Sequence, residues 1–96
     1  MKQIIWSDFS EEDYSNNIKY LLNEWTINEA TNFVDSVTTC LAIISASPEI
    51  FPDKKGDGFR SVVIVPQVTL YYKIHKDYIQ LHRFWNNYQN PKSLKY

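Results

Sequence analysis

Six side chains in the second half of the chain have the chemistry to bind an anion and to move protons. They comprise four cations, a histidine and a tyrosine: Lys54, Lys55, Arg60, His82, Arg83 and Tyr88. Lysine and arginine neutralise and hydrogen-bond anionic groups. Histidine, and less often tyrosine or lysine, acts as a general acid or base. These six residues predict a surface that binds an anionic or acidic partner, either for binding alone or for catalysis as well.

Each candidate also has a structural interpretation. The two lysines lie in a Gly/Pro-rich loop, where a solvated charge pair keeps the loop soluble. Each of the two arginines is as well explained by a structural ion pair as by binding. His82 is typical of an exposed strand histidine that packs beside Tyr71. Tyr88 alone has no clear structural reason.

The charge distribution singles out the same half of the chain. Residues 1–47 carry two lysines and seven acids, whereas residues 48–96 carry eight Lys/Arg and four acids. The net charge of −1 therefore hides a half at −5 and a half at +4, which indicates a basic working surface on an acidic support. A chain of 96 residues with 44% hydrophobic content fits one packed domain over residues 1–96.

The first half predicts a strand and two helices. A strand is expected from Lys2 to Trp6, and Ser7 then provides a helix N-cap. The acids that follow, Glu11, Glu12 and Asp13, are expected to offset the helix dipole. The helix has an apolar stripe at helical spacing: Tyr14, Ile18, Leu21, Leu22 and Trp25.

A second helix follows after a tight turn. Thr26 and Glu29 match a capping box, and Pro48 ends the helix. Its apolar stripe is Ala30, Phe33, Val34, Val37, Leu41 and Ile44. Residues 47–58 contain both glycines and two of the four prolines, which predicts one long loop.

Three strands are expected at Phe59 to Val65, Val68 to His75, and Tyr78 to Trp85. The layout is an α+β fold: an N-terminal strand, a two-helix hairpin and a three-stranded antiparallel meander, with one sheet covered by the helices. A two-residue turn at Lys76-Asp77 places Leu70 opposite Arg83 and Val68 opposite Trp85. In this register Arg83 interrupts an apolar row, and the open face shows Thr69, Tyr71, Lys73, His75, Tyr78, Gln80, His82 and Phe84.

Several functional classes are not expected. Cys40 is the only cysteine, so no disulfide and no thiolate metal cluster is predicted, and the residue is assigned to the core. His75 and His82 are expected about 13 Å apart along the strands, too far to share a metal ion. There is no Gly-rich phosphate loop, so no cofactor is expected. The aliphatic runs are too short to cross a bilayer, and the cytosol is the expected location.

The order of several short segments resembles the RelE/ParE superfamily of bacterial type II toxin-antitoxin toxins, especially its short plasmid-stabilisation members. The segments are WS at 6–7, an amphipathic second helix, PEIFP at 48–52, Arg60 at the start of the sheet, TLYYKI at 69–74 and QNP at 89–91. They extend over nearly the whole chain. One position departs from the family, whose members often carry an arginine just before QNP, where this chain has Tyr88.

The resemblance implies the fold described above, with the N-terminal strand as the fourth strand, and a toxin neutralised by a cognate antitoxin. RelE-like members cleave messenger RNA in the ribosomal A site, whereas ParE-like members poison DNA gyrase. Holding the ribosome requires a strongly basic surface, so a net charge of −1 favours the ParE-like function. An inactive relative that only binds a partner is a third alternative.

The alternatives assign different roles to the candidate residues. A gyrase-binding toxin is expected to contact its target through Lys54, Lys55, Arg60, Arg83, Tyr88, Lys92 and Lys95. A metal-independent mRNA endoribonuclease is expected to hold the scissile phosphate with Arg60 and Arg83, and to move protons with His82, Tyr88 or a loop lysine. In either case the antitoxin is expected to place an amphipathic helix in a hydrophobic groove or to add a strand at an open sheet edge.

Overall fold

The computed structural model describes residues 1–89, which form two helices and one four-stranded sheet. In chain order the elements are β1 (Gln3–Trp6), α1 (Asp8–Glu24), α2 (Ile27–Ala46), β2 (Phe59–Val65), β3 (Val68–Ile74) and β4 (Tyr78–Asn86). The sheet order is β1-β4-β3-β2, with β1 parallel to β4 and the other pairs antiparallel. The predicted α+β architecture is confirmed, and the predicted strand ends differ by one residue at three places.

Both predicted helix starts are confirmed. The Ser7 hydroxyl accepts a hydrogen bond from the Ser10 amide at 3.0 Å, and the Thr26 hydroxyl accepts one from the Glu29 amide at 3.3 Å. Each bond satisfies one of the amides that the first turn of a helix leaves without an intrahelical partner. The capping residues therefore set where each helix begins.

The helices cover one face of the sheet with most of their predicted stripes. The buried helix side chains include Leu21 of α1 and Ala30, Phe33, Val37, Cys40 and Ile44 of α2. Burial raises the pKa of the Cys40 thiol to about 11, so the thiol stays protonated at neutral pH. The α1 stripe was predicted too wide: Leu22 is 48% exposed and Trp25 is 42% exposed.

The register of β3 and β4 departs from the prediction at a one-residue β-bulge. Tyr72 lies opposite Leu81, but Tyr71 lies opposite Arg83, so His82 is the extra residue. Beyond the bulge, Leu70 faces Phe84 rather than Arg83, and Val68 faces Asn86 rather than Trp85. Every side chain of β4 after His82 therefore lies on the face of the sheet opposite to the predicted one.

The bulge exchanges a charged side chain for an aromatic one in the core. Phe84, predicted on the open face, is 1% exposed and packs against the rings of Trp6, Tyr14 and Phe33 at centroid distances of 5.3, 5.7 and 6.1 Å. Trp85, predicted under the helices, instead lies opposite Thr69. Burying Phe84 is worth about 2 kcal/mol, whereas burying an unpaired Arg83 would cost more than that.

Helix α1 covers the part of β4 that β1 does not reach. β1 pairs with β4 only as far as Leu81. Beyond that point, Ser7 donates to the carbonyls of Leu81 and His82 through its amide and hydroxyl at 3.1 and 3.0 Å. Asp13 then accepts from the Phe84 amide at 3.1 Å, and Asn17 donates to the Phe84 carbonyl at 2.8 Å. Ser7 at the N-cap and the side chains of Asp13 and Asn17 in α1 thus take the place of a neighbouring strand. Neither helix is long and apolar enough to span a membrane within residues 1–89.

Candidate functional site

The face of the sheet opposite the helices adjoins three of the predicted candidates, Lys54, Lys55 and His82, and we call it the outer face. Three cross-strand rows define it: Phe59, Lys73 and Gln80; Ser61, Tyr71 and Arg83; and Val63, Thr69 and Trp85. The prediction that Thr69, Tyr71 and Lys73 share a face is confirmed. Two loop lysines stand beside these rows and add positive charge to the surface.

A depression of about 190 Å³ occupies the β2 side of the outer face. Its walls are Lys54, Lys55, Phe59, Ser61, Val63, Thr69 and Tyr71. Lys73 lies next to it, with its ammonium 5.2 Å from the centre of the Phe59 ring. Ammonium groups, hydroxyls and aromatic rings together suit an anionic group attached to a flat or apolar one. Sequence reasoning placed Lys73 on this face but did not single it out as a functional residue.

The loop that carries the two lysines is tied down on both sides of them. Before them, Arg60 donates to the Phe51 carbonyl at 2.7 Å, and the Tyr72 hydroxyl donates to the Pro48 carbonyl at 2.7 Å. After them, the Asp53 carboxylate accepts from the amides of Gly56 and Gly58 at 2.8 Å each. Both glycines have positive φ, 69° and 90°, which a side chain would disfavour. The lysines are thus presented by an ordered turn.

Arg60 is part of this anchoring and not of the outer face. It lies opposite Tyr72, whose side chain is fully buried, and therefore on the helix side of the sheet. Burial raises the pKa of Tyr72 to about 12, with the charge of Arg60 acting in the opposite direction. The phenol is therefore neutral, and its hydroxyl donates a hydrogen bond to the Pro48 carbonyl of the loop. The contacts of Arg60 are structural, but they are hydrogen bonds to backbone carbonyls and not the ion pair suggested by the sequence.

Arg83 lies on the outer-face row but its side chain turns to α1. Its guanidinium makes a bidentate pair with Asp13, with Nε–Oδ2 at 2.7 Å and Nη2–Oδ1 at 3.0 Å. It also lies over the rings of Phe9 and Trp85, 5.0 and 5.5 Å from their centres. The hydrogen bond to Asp13 raises the pKa of Arg83 further. Asp13, assigned from sequence only to the helix dipole, is its structural partner.

The structure does not bring together the two arginines that were predicted to share one phosphate. Arg60 and Arg83 project from opposite faces of the sheet, and each is held by groups of its own surroundings. The two guanidinium groups therefore do not lie where a single phosphate could contact both of them. The cations that do converge are the loop lysines and Lys73, which lie on the outer face.

His82, the bulged residue, is less exposed than predicted. Its ring packs edge-on against Phe59, with centroids 4.6 Å apart and planes at 87°. Its Nε2 atom is buried and has no hydrogen-bond partner within residues 1–89. Burial lowers the pKa of His82, and the charges of His75 and Lys73 lower it further. The imidazole is therefore neutral at pH 7, the state in which it accepts a proton.

The lowered pKa of His82 predicts a specific pH dependence of stability. The unfolded chain binds a proton at this residue near its ordinary pKa of about 6.5, before the folded chain does. The contribution of His82 to the free energy of unfolding is therefore fully present above the pKa of the unfolded chain. It is lost as the pH falls from there through the lower pKa of the folded chain. Urea unfolding between pH 7.5 and pH 5 should show a smaller loss for His82→Gln than for the unaltered chain. Equal losses would contradict the lowered pKa.

The remaining candidates lie away from the depression. Tyr88 is 62% exposed, and its ring lies 6.1 Å from that of Trp25, where the end of β4 meets the end of α1. His75 stacks on Tyr78 with ring centroids 4.5 Å apart. No cluster of three or more His, Cys, Asp or Glu side chains suited to a metal ion occurs within residues 1–89. Lys92 and Lys95 lie outside the described residues.

Comparison with known proteins identifies the fold. No protein-family model matches the sequence and no curated protein matches it, but solved structures do. A chain of the chromosomal ParDE TA system from P. aeruginosa superposes with a TM-score of 0.73 at 12% identity, covering 90% of this chain and 96% of that one. The YoeB dimer from Staphylococcus aureus gives 0.64 at 18% identity, with 91% and 98% covered.

A third structure, a copper-bound mutant toxin from Helicobacter pylori, has a TM-score of 0.56 at 22% identity and covers 91% of this chain and 96% of that one. All three are toxins of the RelE/ParE type or contain one. The protein therefore has the RelE/ParE-type toxin fold, over nearly the full length of both chains in each comparison. The fold that the sequence resemblance implied is confirmed.

Proposed function

We propose that this protein is the toxin of a type II toxin-antitoxin system, that it acts in the cytoplasm by binding DNA gyrase, and that a cognate antitoxin neutralises it. The observation that carries the toxin assignment is the near full-length likeness to three toxin structures. Since a fold hosts more than one activity, the target is argued separately from the site.

Charge and geometry both favour binding over catalysis. The chain has a net charge of −1, whereas binding within a ribosome requires neutralising many phosphates. The two arginines that a phosphate clamp would use are held instead by Asp13 and by the loop carbonyls. The outer face presents Lys54, Lys55 and Lys73 beside aromatic side chains, which makes a basic surface suited to an acidic protein patch.

A second function has one observation in its favour, the neutral imidazole of His82 beside the outer-face lysines. In an mRNA endoribonuclease the imidazole of His82 would take the proton of a ribose 2′-hydroxyl, and the 2′-oxygen would attack the adjacent phosphorus; because Nε2 is buried, this requires the ring of Phe59 to move aside. Lysine ammonium groups would stabilise the charge on the phosphate. The products would be a 2′,3′-cyclic phosphate and a 5′-hydroxyl, whose oxygen takes up a proton as it leaves.

Expression and enzyme assays separate these functions. The chain expressed alone should stop growth, and co-expression of its cognate antitoxin, sought among the reading frames beside its gene, should restore it. The purified chain should inhibit supercoiling by gyrase and leave transcripts intact in a translation reaction with ribosomes. Transcript cleavage that depends on His82, with supercoiling unaffected, would favour the nuclease. Normal growth would favour an inactive partner-binding relative.

The loop lysines provide a sharper test of the proposed surface. Replacing both Lys54 and Lys55 by alanine should weaken gyrase inhibition roughly tenfold, because two exposed cations near an acidic partner contribute about 1 to 2 kcal/mol. The matched control replaces Lys19 and Lys76, which are also exposed and lie outside the outer-face depression. Equal inhibition by the two double variants would contradict the assignment of the outer face as the target-binding surface.

A further inference from the structure

A polar pocket lies where α1 covers the part of β4 that β1 does not reach. It encloses about 280 Å³, and its walls include Asn17 and Tyr20 of α1 and Trp85 and Asn86 of β4. It shares no residue with the outer-face depression. Asn17 is only 4% exposed and Asn86 only 7% exposed. Buried carboxamides normally have hydrogen-bond partners for their polar atoms, but each of these two has one polar atom left over.

The hydrogen bonds of Asn17 fix the orientation of its carboxamide. The Nδ2 group donates to the carbonyls of Asp13 and Phe84 at 2.9 and 2.8 Å, which uses both of its hydrogens. The Oδ1 atom accepts no hydrogen bond from residues 1–89. The buried side-chain atoms of that range that lack a partner are both imidazole nitrogens, so the Oδ1 atom is open to the pocket. Asn17 therefore offers the pocket a fixed acceptor.

Asn86 is held in the opposite sense. Its Oδ1 atom accepts from the Tyr88 amide at 2.8 Å, and its Nδ2 group has no acceptor within the described part of the chain and is open in the same way. Phe84 and Asn86 are two residues apart in β4, so they share a face and lie roughly 7 Å apart. Because Asn17 bonds the Phe84 carbonyl, its acceptor lies roughly that far from the Asn86 donor.

The charge of the pocket selects against ionic ligands. Asp13 neutralises Arg83, so Glu12, which is exposed, leaves the walls with a negative charge. An anion would be repelled and would bring no N–H group to Asn17. An ammonium or guanidinium cation would bring no acceptor to Asn86. A ligand that satisfies both carboxamides is therefore uncharged and has both a donor and an acceptor.

An amide group fits the distance between the two carboxamides. The nitrogen and oxygen of an amide are about 2.2 Å apart, and a hydrogen bond of about 2.9 Å at each end extends its reach to about 8 Å. A single hydroxyl oxygen reaches only about 6 Å in the same way. The rings of Tyr20 and Trp85 line the same pocket, so a flat ring attached to the amide has aromatic surface to pack on.

We propose that this pocket binds an uncharged carboxamide attached to a flat ring. The N–H group of the ligand donates to Asn17 Oδ1, and its carbonyl accepts from Asn86 Nδ2. The site requires neither gyrase nor an antitoxin, so it stands or fails independently of the proposed function.

Nicotinamide is the probe, in titrations of the full chain labelled with ¹⁵N. It should shift the side-chain NH2 signals of Asn86 and the amides around Asn17, with a dissociation constant on the order of 1 mM for so small a ligand. Two matched ligands lack the N–H group: 3-acetylpyridine is uncharged, and nicotinate carries a carboxylate. Each should bind at least about tenfold more weakly, because Asn17 Oδ1 is left without a donor. Equal binding of the three, no shift with nicotinamide, or shifts centred on the outer-face depression would overturn the proposal.

A pair of variants tests the donor. Asn86→Asp keeps the oxygen that accepts from the Tyr88 amide but loses the donor, so it should weaken nicotinamide binding about tenfold or more. Asn28→Asp makes the same change of charge at an exposed residue outside the pocket and should leave binding unchanged. Equal binding by the two variants would contradict the proposal. The comparison of the three ligands uses the unaltered chain, so its result holds even if Asn86→Asp does not fold.

Two further ligands test the ring and the amide separately. A blocked Gly-Gln-Gly peptide carries the same carboxamide without a ring and should bind more weakly than nicotinamide. Tighter binding of the peptide would assign the pocket to a protein side chain and would overturn the proposed ligand class. Glucose offers hydroxyls in place of the amide, and its binding as tightly as nicotinamide would overturn the amide assignment.

Discussion

Replacing Asp13 by alanine is expected to lower the free energy of unfolding by about 3 kcal/mol. The Asp13 carboxylate holds Arg83 through two hydrogen bonds and accepts a third from the Phe84 amide. The side chains of both ionic partners are only 14–15% exposed. Without the carboxylate, a partly desolvated guanidinium loses its counter-charge and the edge of β4 loses a hydrogen-bond acceptor. Urea unfolding monitored by circular dichroism measures the difference.

Two further variants identify the source of this effect. Glu12→Ala removes a neighbouring exposed acid from the same turn of α1 and should change stability by less than about 0.5 kcal/mol. In an Arg83→Met background, Asp13→Ala should cost less than in the unaltered chain, because the stranded cation is gone. If Asp13→Ala costs no more than Glu12→Ala, the ion pair does not fasten α1 to the sheet.

Replacing Phe84 by alanine is expected to lower the free energy of unfolding by about 4 kcal/mol. Phe84 is 1% exposed, so its truncation leaves a cavity in the core. Deleting His82 should cost less, because it removes only the extra residue of the bulge: Arg83 stays opposite Tyr71, and Phe84 stays opposite Leu70 with its ring buried. Urea unfolding monitored by circular dichroism measures both differences.

A substitution at the same position is the matched control for the deletion. His82→Ser keeps the length of β4 and the bulge, and the loss of its ring contact with Phe59 should cost only about 1 kcal/mol. A deletion that costs as much as Phe84→Ala would show that burial of Phe84 depends on the bulge residue itself and not only on the register that it sets.

The predicted elements were close to the observed ones because their signals are local. The Ser7 and Thr26 hydroxyls bond amides three residues away, and the helical stripes and strand lengths are read from neighbouring residues. The resemblance to the RelE/ParE toxins rested on the order of such segments, and the observed fold agrees with it. Leu22 was assigned to the core because its spacing fits the stripe, but spacing alone does not tell how wide a face the sheet covers.

The candidate site was predicted less well, because its geometry depends on residues distant in sequence. The basic character of the outer face and the positions of the loop lysines were apparent from the chain. The orientation of the two arginines was not. Asp13 and Arg83 are separated by 70 positions, and the partners of Arg60 are backbone carbonyls, which carry no sequence signal.

The amino-acid sequence by itself determined the strands, the helices with their caps, the acidic and basic halves, and the type of fold. Tertiary structure alone decided which side chains of β4 face the helices, since the bulge at His82 follows from a competition between Phe84 and Arg83 for one place in the core. Hydrophobic burial and charge desolvation act through the whole packed domain, whereas capping and periodicity act within a few residues. The local pattern therefore specified the elements, and the packed core specified the register that places the candidate site.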